Sequence, residues 1–411
     1  MIYRRITDLI FRIIVGLVFV FSGFVKAVDP LGSAYKFIDY FEAFNVDFLN
    51  PLATALAFII PALEFAIGFA LLFNILKKFT TWVLGGFILY FTGLTLISAI
   101  TNPVTDCGCF GDAIKLDNWT TFYKNLILLL LSVFLVLNNE HFSNQYFKVR
   151  TQRLLWVYFI LFSLGISTYS LVTLPIIDFR PYKLGVNIYN SMTKPEWAPD
   201  DVYKTTLYYR KDGKVVGFSE DDYPWQDSTW QFVDAENELV SKGYEPPIKS
   251  FNVLNSEGED IGPDIILNND YQFMIICRDF RSVREKDLEK IRLAYELGKE
   301  KSYTVFVISS ATAVENQKFT YMLGSDIPIY QADDVLLKSM IRANPGIFVL
   351  KEGTIVGKFN LKRTEINAGF FNVLEYTLSK QRMVNNRYNV LTLGLIFFII
   401  ILVYTNLDRK Y

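Results

Sequence analysis

The sequence predicts a membrane α-helical bundle of about six transmembrane helices, followed by an exported α/β domain. Three observations favour this fold class. The mean hydropathy is +0.24 and 51% of the 411 residues are hydrophobic, more than ordinary soluble domains carry. Six apolar runs approach the length of about 20 residues that crosses a bilayer. Between the fifth and sixth runs, strand-like and helix-like segments alternate, as they do in an α/β sheet.

The charge and the cysteine content exclude several classes of protein. The formal net charge is -1 and no long block of like charge occurs, so we expect no nucleic-acid partner. Three cysteines in 411 residues do not build a disulfide framework. The single histidine, His141, excludes most zinc and haem sites. We therefore expect membrane lipid as a partner and no metal centre.

The apolar runs divide the membrane half. They cover residues 9–25, 52–76, 79–100, 122–137, 154–174 and 390–405. The first run is not a signal peptide, since Arg12 interrupts it and no small-residue cleavage pattern precedes Asp29. We expect a four-helix membrane domain over residues 1–140, a fifth transmembrane helix in 141–175 and a sixth in 388–407.

The basic residues predict the orientation. Lys and Arg cluster at Arg4 and Arg5, at Lys77 and Lys78, and within 148–153, whereas the alternate segments 29–50 and 101–118 carry few of them. By the positive-inside rule the basic segments are cytoplasmic. Both termini are then cytoplasmic, and the large domain is exported. In a two-membrane bacterium this predicts an inner-membrane protein with a periplasmic domain.

The exported part divides into two predicted regions. Residues 176–245 form a β-rich lead-in, in which Lys211 to Lys214 make a hairpin turn. Residues 246–380 follow as the α/β domain, with a strand at 271–277, an amphipathic helix at 283–300 and a second strand from Thr304. A strand pair at 346–359 and a last helix at 369–378 complete it.

This order of elements, with Asn344-Pro345 directly before the penultimate strand, resembles the thioredoxin-like fold. That family carries a cis-proline there, beside its active site. Where the family has Cys-x-x-Cys after a strand, this chain reads Cys-Arg-Asp-Phe from Cys277 to Phe280. The resemblance therefore implies a thioredoxin-like domain that lacks the CxxC motif and its dithiol chemistry. Cys277 ends an apolar strand, and we expect a buried structural thiol.

The membrane half carries further motifs. Residues 12–26 read RIIVGLVFVFSGFVK, 64–72 read EFAIGFALL, 107–111 read CGCFG, and Lys124-Asn125 opens the fourth span. Over residues 6–138 these motifs resemble the DoxX/MauE group of redox-associated bacterial membrane proteins, and CGCFG lies closer to the MauE side. The layout with a thioredoxin-like tail resembles the fused DoxX proteins of Bacteroidetes. The resemblance implies a redox-associated class, and a quinone cofactor by analogy alone.

Cys107 and Cys109 flank Gly108, which allows the tight turn that a bridge between them requires. Such a bridge is strained and exchanges electrons readily. Lys124, Lys26 and the predicted helix start near Asn118 would stabilise a thiolate. Three nearby carboxylates would instead raise a thiol pKa: Asp106, Asp112 and Asp117. A redox-active pair, a structural bridge and a metal site all remain open, and the metal site is short of ligands.

Arg12 and Glu64 place charges inside apolar runs, where ionisable residues are rare. Glu64 lies near the midpoint of its span. One interpretation gives it a proton-handling or quinone-adjacent role. The other is an ion pair between Arg12 and Glu64 that fixes helix packing.

The predicted catalytic residues are therefore Cys107, Cys109, Lys124 and Glu64. They would serve an inner-membrane protein that exchanges thiols and disulfides through a periplasmic CxC, while the thioredoxin-like domain docks a periplasmic protein partner. The alternative is a non-enzymatic membrane scaffold that recruits envelope or secretion partners, in which the cysteines are structural. The two functions differ in whether the pair cycles between redox states in cells.

Overall fold

One aspartate separates the first two helices of the chain. In the computed structural model, which describes residues 2–104, 106–138, 147–371, 391–392, 394–396 and 398–399, α1 covers Ile2–Val28 and α2 covers Pro30–Ala43. Asp29 caps α2, because its Oδ1 accepts a hydrogen bond from Gly32 N at 3.0 Å. The sequence analysis predicts no helix in this segment. Hydropathy missed α2 because polar and charged residues interrupt its apolar face.

Four further long helices follow: α3 (Ala53–Leu72), α4 (Lys77–Thr101), α5 (Asn118–Leu137) and α6 (Val149–Val172). With α1, they make five helices long and apolar enough to cross a membrane among the described residues. The first five predicted spans are thereby confirmed. Three predicted features lie wholly or largely outside the described residues: His141, the last helix at 369–378 and the sixth span at 388–407.

The outer surface of this bundle is apolar. Leu17, Leu89, Leu130 and Leu161 on four different helices are each more than half exposed, at 55%, 63%, 64% and 61%. An apolar surface of this extent is unfavourable in water and suits contact with lipid chains. The protein is therefore a multi-pass membrane protein.

Glycines bring α1 and α3 close together. A Cβ placed on Gly68 would lie 2.6 Å from Val20 N, and one placed on Gly23 would lie 2.5 Å from Phe65 N. Small residues at such crossings let two membrane helices approach until their backbones touch. The close approach sets the polar residues of α1 directly beside those of α3.

The lead-in to the α/β domain contains a short helix and a separate sheet. Their bounds are α7 (Ile188–Met192), β1 (Val202–Lys211), β2 (Lys214–Ser219) and β3 (Gln231–Ser241). The strands are antiparallel in the order β2-β1-β3. Asp212 and Gly213 join β1 to β2 with positive φ angles of 50° and 74°, as a two-residue hairpin turn requires. The predicted hairpin is confirmed.

The α/β domain has a five-stranded sheet in the order β6-β5-β4-β7-β8. Strands β4, β5 and β6 are parallel, while β7 and β8 run antiparallel to their neighbours. The Asn344-Pro345 peptide bond before β7 is cis. This is the thioredoxin-like arrangement that the sequence predicted. The elements are α8 (Gly262–Leu267), β4 (Tyr271–Ile276), α9 (Glu285–Glu300), β5 (Thr304–Ser309), α10 (Ala313–Leu323), β6 (Ile329–Gln331), α11 (Asp334–Met340), β7 (Gly346–Lys351) and β8 (Thr354–Asn360).

Strand β4 is buried on both faces. Phe273 and Ile275 belong to the core on one side of the sheet, and Met274 and Ile276 belong to the core on the other. Cys277 follows them with no exposed surface. Burial raises the pKa of its thiol, and the charge of nearby Asp287 acts in the same direction. Cys277 is therefore a buried thiol, as the sequence predicted.

The α/β domain docks on the membrane half through its thioredoxin-like edge. Arg342, three residues before the cis-proline, has its Nη2 2.8 Å from Asp29 Oδ2 and 3.0 Å from Asp112 Oδ2. Arg278, directly after Cys277, donates to the Tyr35 hydroxyl at 2.7 Å. Burial favours a high pKa for Asp29, but the charge of Arg342 outweighs it and lowers the pKa. The edge where the family's active site lies therefore faces the membrane half.

We expect Gly68→Ala to lower the free energy of unfolding by about 1–3 kcal/mol, because the new methyl group would meet the backbone of α1. Thermal unfolding in detergent micelles measures the change. Gly86→Ala on α4 is the matched control, since a Cβ at Gly86 would have nothing within 4 Å. That variant should unfold at the same temperature or higher, because alanine favours helix over glycine by up to about 1 kcal/mol. Equal loss in both variants would contradict the close crossing.

Candidate functional site

Cys107 and Cys109 face each other across a tight turn between α4 and α5. Their Sγ atoms lie 3.0 Å apart, and both thiols are free and partly buried. Gly108 between them has φ +66°, a conformation that side-chain-bearing residues rarely adopt. The Asp106 side chain accepts a hydrogen bond from Gly108 N at 3.1 Å and fixes the turn. The glycine turn that the sequence predicted thus holds the two sulfurs together.

A buried ion pair lies beneath the cysteine turn. Lys26 Nζ is 2.7 Å from Glu64 Oε1 and 2.9 Å from Glu64 Oε2. The Ser22 hydroxyl lies 3.0 Å from Glu64 Oε2 and 2.8 Å from the carbonyl oxygen of Cys109. One serine therefore connects the carboxyl group of Glu64 to the backbone of the cysteine turn.

The predicted pair between Arg12 and Glu64 is wrong. Arg12 Nε instead binds Asp8 Oδ2 at 2.9 Å, and Lys77 Nζ binds the other oxygen of Asp8 at 3.1 Å. Helix geometry is the reason, because Arg12 and Lys26 are separated by about 21 Å along α1 at 1.5 Å per residue. Glu64 lies level with Lys26, so each charge is neutralised at its own end of α1.

The ion pair and Cys109 line a small cavity among α1, α3, α4 and α5. Its volume is about 40 Å³, and its polar lining comes from Ser22, Lys26, Glu64, Cys109, Lys124 and Asn125. A volume of this size holds a few water molecules. Pockets for cofactors are roughly 300 Å³ or larger. The cavity is therefore too small for the quinone that the analogy suggested.

Cys109 carries the more acidic thiol. Hydrogen bonding from the Cys107 thiol lowers the pKa of Cys109 to about 6, and the charges of Lys124 and Lys26 act in the same direction. Burial and the carboxylate of Glu64 oppose them without prevailing. Lys124 Nζ lies 4.3 Å from the ring centroid of Phe110, which holds the cation close to Cys109. The Cys107 thiol, Lys124 and Lys26 therefore favour the thiolate form of Cys109.

Cys107 behaves in the opposite way. Hydrogen bonding to Cys109 and burial raise the pKa of Cys107, against smaller effects of Tyr40 and Lys26. Cys107 therefore keeps its proton and donates it towards the Cys109 sulfur. The pair is asymmetric, with one thiolate and one thiol.

Partners neutralise the acidic residues that were predicted to oppose a thiolate. Asp106 binds Lys36 Nζ at 3.0 Å, and Asp112 binds Arg342. Asp117 caps α5 by accepting a hydrogen bond from Thr120 N at 2.9 Å. The first turn of α5 near Asn118 is therefore capped by a carboxylate and not by a cysteine sulfur. The two lysines are the cations that act on Cys109.

The structure brings Cys109, Lys124 and Glu64 to one cavity, with Cys107 at its outer side. Sequence reasoning missed Ser22, although it lies one helical turn before Lys26 on the same face of α1. It also missed Tyr40, since α2 was not predicted, and Arg342, which is distant in the chain. Within the described part of the chain, no third metal-ligating side chain joins the two cysteines.

Comparison with known proteins gives a match on the membrane half. Residues 4–138 match the family model of the methylamine utilisation protein MauE, which confirms the resemblance there. This segment runs from the first turn of α1 to the end of α5 and contains all four predicted catalytic residues. Residues 203–242 match a domain of unknown function, DUF8463. No curated protein matches the chain.

A solved structure also shares some similarity. It is the solution structure of a protein from Bacteroides thetaiotaomicron assigned as a protein disulfide isomerase, with 15% sequence identity and a TM-score of 0.25. The similarity covers 32% of this chain and 84% of that chain. The thioredoxin-like fold rests on the strand order and directions described above.

We expect Lys124→Met to move the alkylation profile of Cys109 to higher pH. The thiolate of Cys109 is present above a pKa of about 6, and removal of the lysine charge raises that pKa and shrinks the thiolate fraction at neutral pH. Iodoacetamide labelling of the reduced protein, followed peptide by peptide with mass spectrometry, measures the midpoint. Lys115→Met, at an exposed position of the same loop, is the control. Equal midpoints in all three proteins would contradict the assigned role of Lys124.

Proposed function

We propose that the protein is a membrane-bound thiol–disulfide exchange protein in which Cys107 and Cys109 carry the redox chemistry. One observation supports this above all, namely two sulfurs 3.0 Å apart, of which Cys109 lines one cavity together with Lys26 and Lys124. The thiolate is the reactive form of cysteine in exchange reactions. A structural bridge has no need of cations that stabilise a free thiolate.

Exchange proceeds in two steps from the oxidised pair. A partner thiolate attacks Cys107 Sγ, the bond between Cys107 and Cys109 breaks, and its electron pair leaves on Cys109. Lys124 and Lys26 stabilise that leaving thiolate, and a leaving thiol of lower pKa departs faster. A second partner thiolate then attacks the partner sulfur of the mixed disulfide and releases Cys107. The partner dithiol becomes a disulfide and the pair becomes reduced, and the reverse sequence reduces a partner.

Glu64 positions the cysteine turn in this scheme. The Ser22 hydroxyl lies within hydrogen-bond distance of both Glu64 Oε2 and the carbonyl oxygen of Cys109. Lys26 Nζ binds both carboxylate oxygens of Glu64 and supplies the compensating charge. The ion pair therefore keeps the charge of Lys26 close to the Cys109 sulfur.

The partner is a periplasmic protein that bears thiols or a disulfide. The α/β domain docks beside the cysteine loop, so the domain and the loop lie on the same side of the bundle. The ion pairs of Asp8 with Arg12 and Lys77 lie near the opposite end of α1. Basic residues near that other end favour a cytoplasmic location for it. On this basis we propose the inner membrane as the location, with both termini inside. Since the thioredoxin-like domain lacks CxxC, it recruits the partner and does not itself carry electrons.

A scaffold without redox activity is the second candidate. The three-stranded sheet supports it, because β3 is exposed along its whole length and presents Phe232, Leu239 and Val240 to solvent. Exposed apolar groups on a strand are typical of a surface that binds another protein. In this function the cysteines would only shape the loop.

Cysteine substitutions separate the two functions. We expect Cys109→Ser to trap on Cys107 a partner that presents a disulfide, because in the direction that reduces a partner Cys109 is the sulfur that attacks Cys107 and releases the partner. Cys107→Ser should trap none and should lose function, while Cys277→Ala should behave like the parent, since that thiol is buried. Non-reducing electrophoresis and mass spectrometry measure the adducts. Full function and an unchanged partner redox state in the variant with both Cys107→Ser and Cys109→Ser would favour the scaffold.

Topology is tested with single reporter cysteines in a background of Cys107→Ser and Cys109→Ser. A membrane-impermeant maleimide should label Lys115→Cys in intact spheroplasts, because this exposed loop position is predicted to face the periplasm. Lys78→Cys, exposed at the start of α4, should react only after the membrane is opened. The opposite pattern would refute the orientation.

A further inference from the structure

Two buried hydroxyl groups near Cys107, those of Tyr40 and Ser98, have poorly formed hydrogen bonds. Among the described residues, neither makes a hydrogen bond of good geometry. Tyr40 is 8% exposed and Ser98 is fully buried. Most buried polar groups in folded proteins are paired, so an unpaired one requires a reason. The Tyr40 hydroxyl adjoins both the Cys107 thiol and the Ser98 hydroxyl.

The face of α2 that carries Tyr40 covers the cysteine turn. Lys36 and Tyr40 are four residues apart and therefore lie on one face of the helix. Lys36 Nζ binds Asp106 at 3.0 Å, and a Cβ at Gly108 would lie 3.0 Å from Lys36 Cγ. Helix α2 therefore contacts Asp106 and Gly108, the two neighbours of Cys107, and places Tyr40 beside the Cys107 thiol.

Two contacts fix the Tyr40 ring in this place. Its ring stacks on Phe44, with centroids 6.1 Å apart and an interplanar angle of 16°. α2 also packs on α3 through a core cluster that includes Ala34, Ala53 and Ala57. Burial raises the pKa of the Tyr40 hydroxyl, which therefore keeps its proton and remains a donor at neutral pH.

We propose that the Tyr40 hydroxyl, with Ser98 behind it, donates a hydrogen bond to the Cys107 thiolate at the step in which that sulfur leaves. The inference rests on the proposed thiol–disulfide exchange. In the first step Cys109 leaves and the lysines stabilise it. In the second step the mixed disulfide breaks, its electron pair goes to Cys107 Sγ, and the Tyr40 O–H stabilises the new charge. Each leaving sulfur then has its own stabilising groups.

The same assignment explains why the two hydroxyls make no hydrogen bond of good geometry in the reduced protein. There Cys107 is a neutral thiol that donates to Cys109, and a neutral thiol is a weak acceptor. A thiolate is a strong acceptor. The hydroxyls would therefore gain a full partner only when charge develops on Cys107. The groups that act on this sulfur are Cys109 of its own loop, Tyr40 of α2 and Lys26 of α1. Ser98 of α4 lies beside the Tyr40 hydroxyl, and the ion pair of Lys36 and Asp106 lies next to the turn.

The first test is a pH profile on the full-length protein in lipid nanodiscs. In a background of Cys109→Ser and Cys277→Ala, Cys107 is the single thiol, and iodoacetamide alkylation reports its thiolate fraction. Tyr40→Phe should move the midpoint to higher pH and slow alkylation about threefold or more at pH ~8. Tyr35→Phe is the matched control, since it removes an α2 hydroxyl that contacts Arg278 instead. A merely structural tyrosine would leave the midpoint unchanged.

The second test follows the oxidised pair of Cys107 and Cys109 after addition of 2-mercaptoethanol, with acid quenching and mass spectrometry. Tyr40→Phe should form the mixed disulfide on Cys107 at the parental rate but resolve it about threefold or more slowly, so the adduct accumulates. Parental resolution together with a parental midpoint would overturn the inference and leave the exchange function intact. Absence of any adduct in the parent protein would instead refute the exchange function itself.

A second variant separates an effect on the Cys107 thiol from a general folding defect. Ser98→Ala removes the hydroxyl behind Tyr40 while the aromatic stack remains, and it should shift both readouts in the same direction by a smaller factor. If Tyr40→Phe unfolds at a lower temperature than the parent, the Ser98→Ala result decides. No shift in Ser98→Ala would then overturn the inference.

Discussion

The ion pair between Lys26 and Glu64 is the interaction on which the site depends. Both charges lie inside helices that cross a membrane, where an unpaired charge is costly, so the two must face each other. The glycines at the α1 and α3 crossing make the required approach possible. Through Ser22 the pair holds the backbone of Cys109, and through the charge of Lys26 it stabilises the thiolate. This one ion pair therefore supports the helix packing, the position of the cysteine loop and the reactivity of the thiol.

The thioredoxin-like domain contributes to the same electrostatics from outside. Arg342 neutralises Asp112, which lies three residues beyond Cys109 and would otherwise disfavour a thiolate nearby. The domain has no second cysteine directly after Cys277, yet the edge that carries the active site in thioredoxin-like proteins faces the cysteine loop of the membrane half. That edge supplies cations to Asp29, Asp112 and Tyr35 beside the cysteine loop.

Composition and local pattern predicted most of the architecture. Hydropathy alone located the five described spans, and period-2 strands beside amphipathic helices located the α/β domain. Gly108 between two cysteines predicted the turn. The partner of Glu64 was harder to predict, because α1 carries both Arg12 and Lys26 within its apolar run. Only the position along the packed helices shows that Lys26, and not Arg12, lies beside Glu64. The contact between Arg342 and Asp112 joins residues 230 positions apart, which no local pattern encodes.

The contact between the two halves also has a consequence for stoichiometry. Arg342 and Arg278 make only a few polar bonds to the membrane half, and such bonds alone would join separate proteins weakly. The covalent connection after α6 changes this, because tethering raises the effective concentration of the domain at its docking site. The domain therefore remains docked as a built-in subunit, in a fixed ratio of one to one.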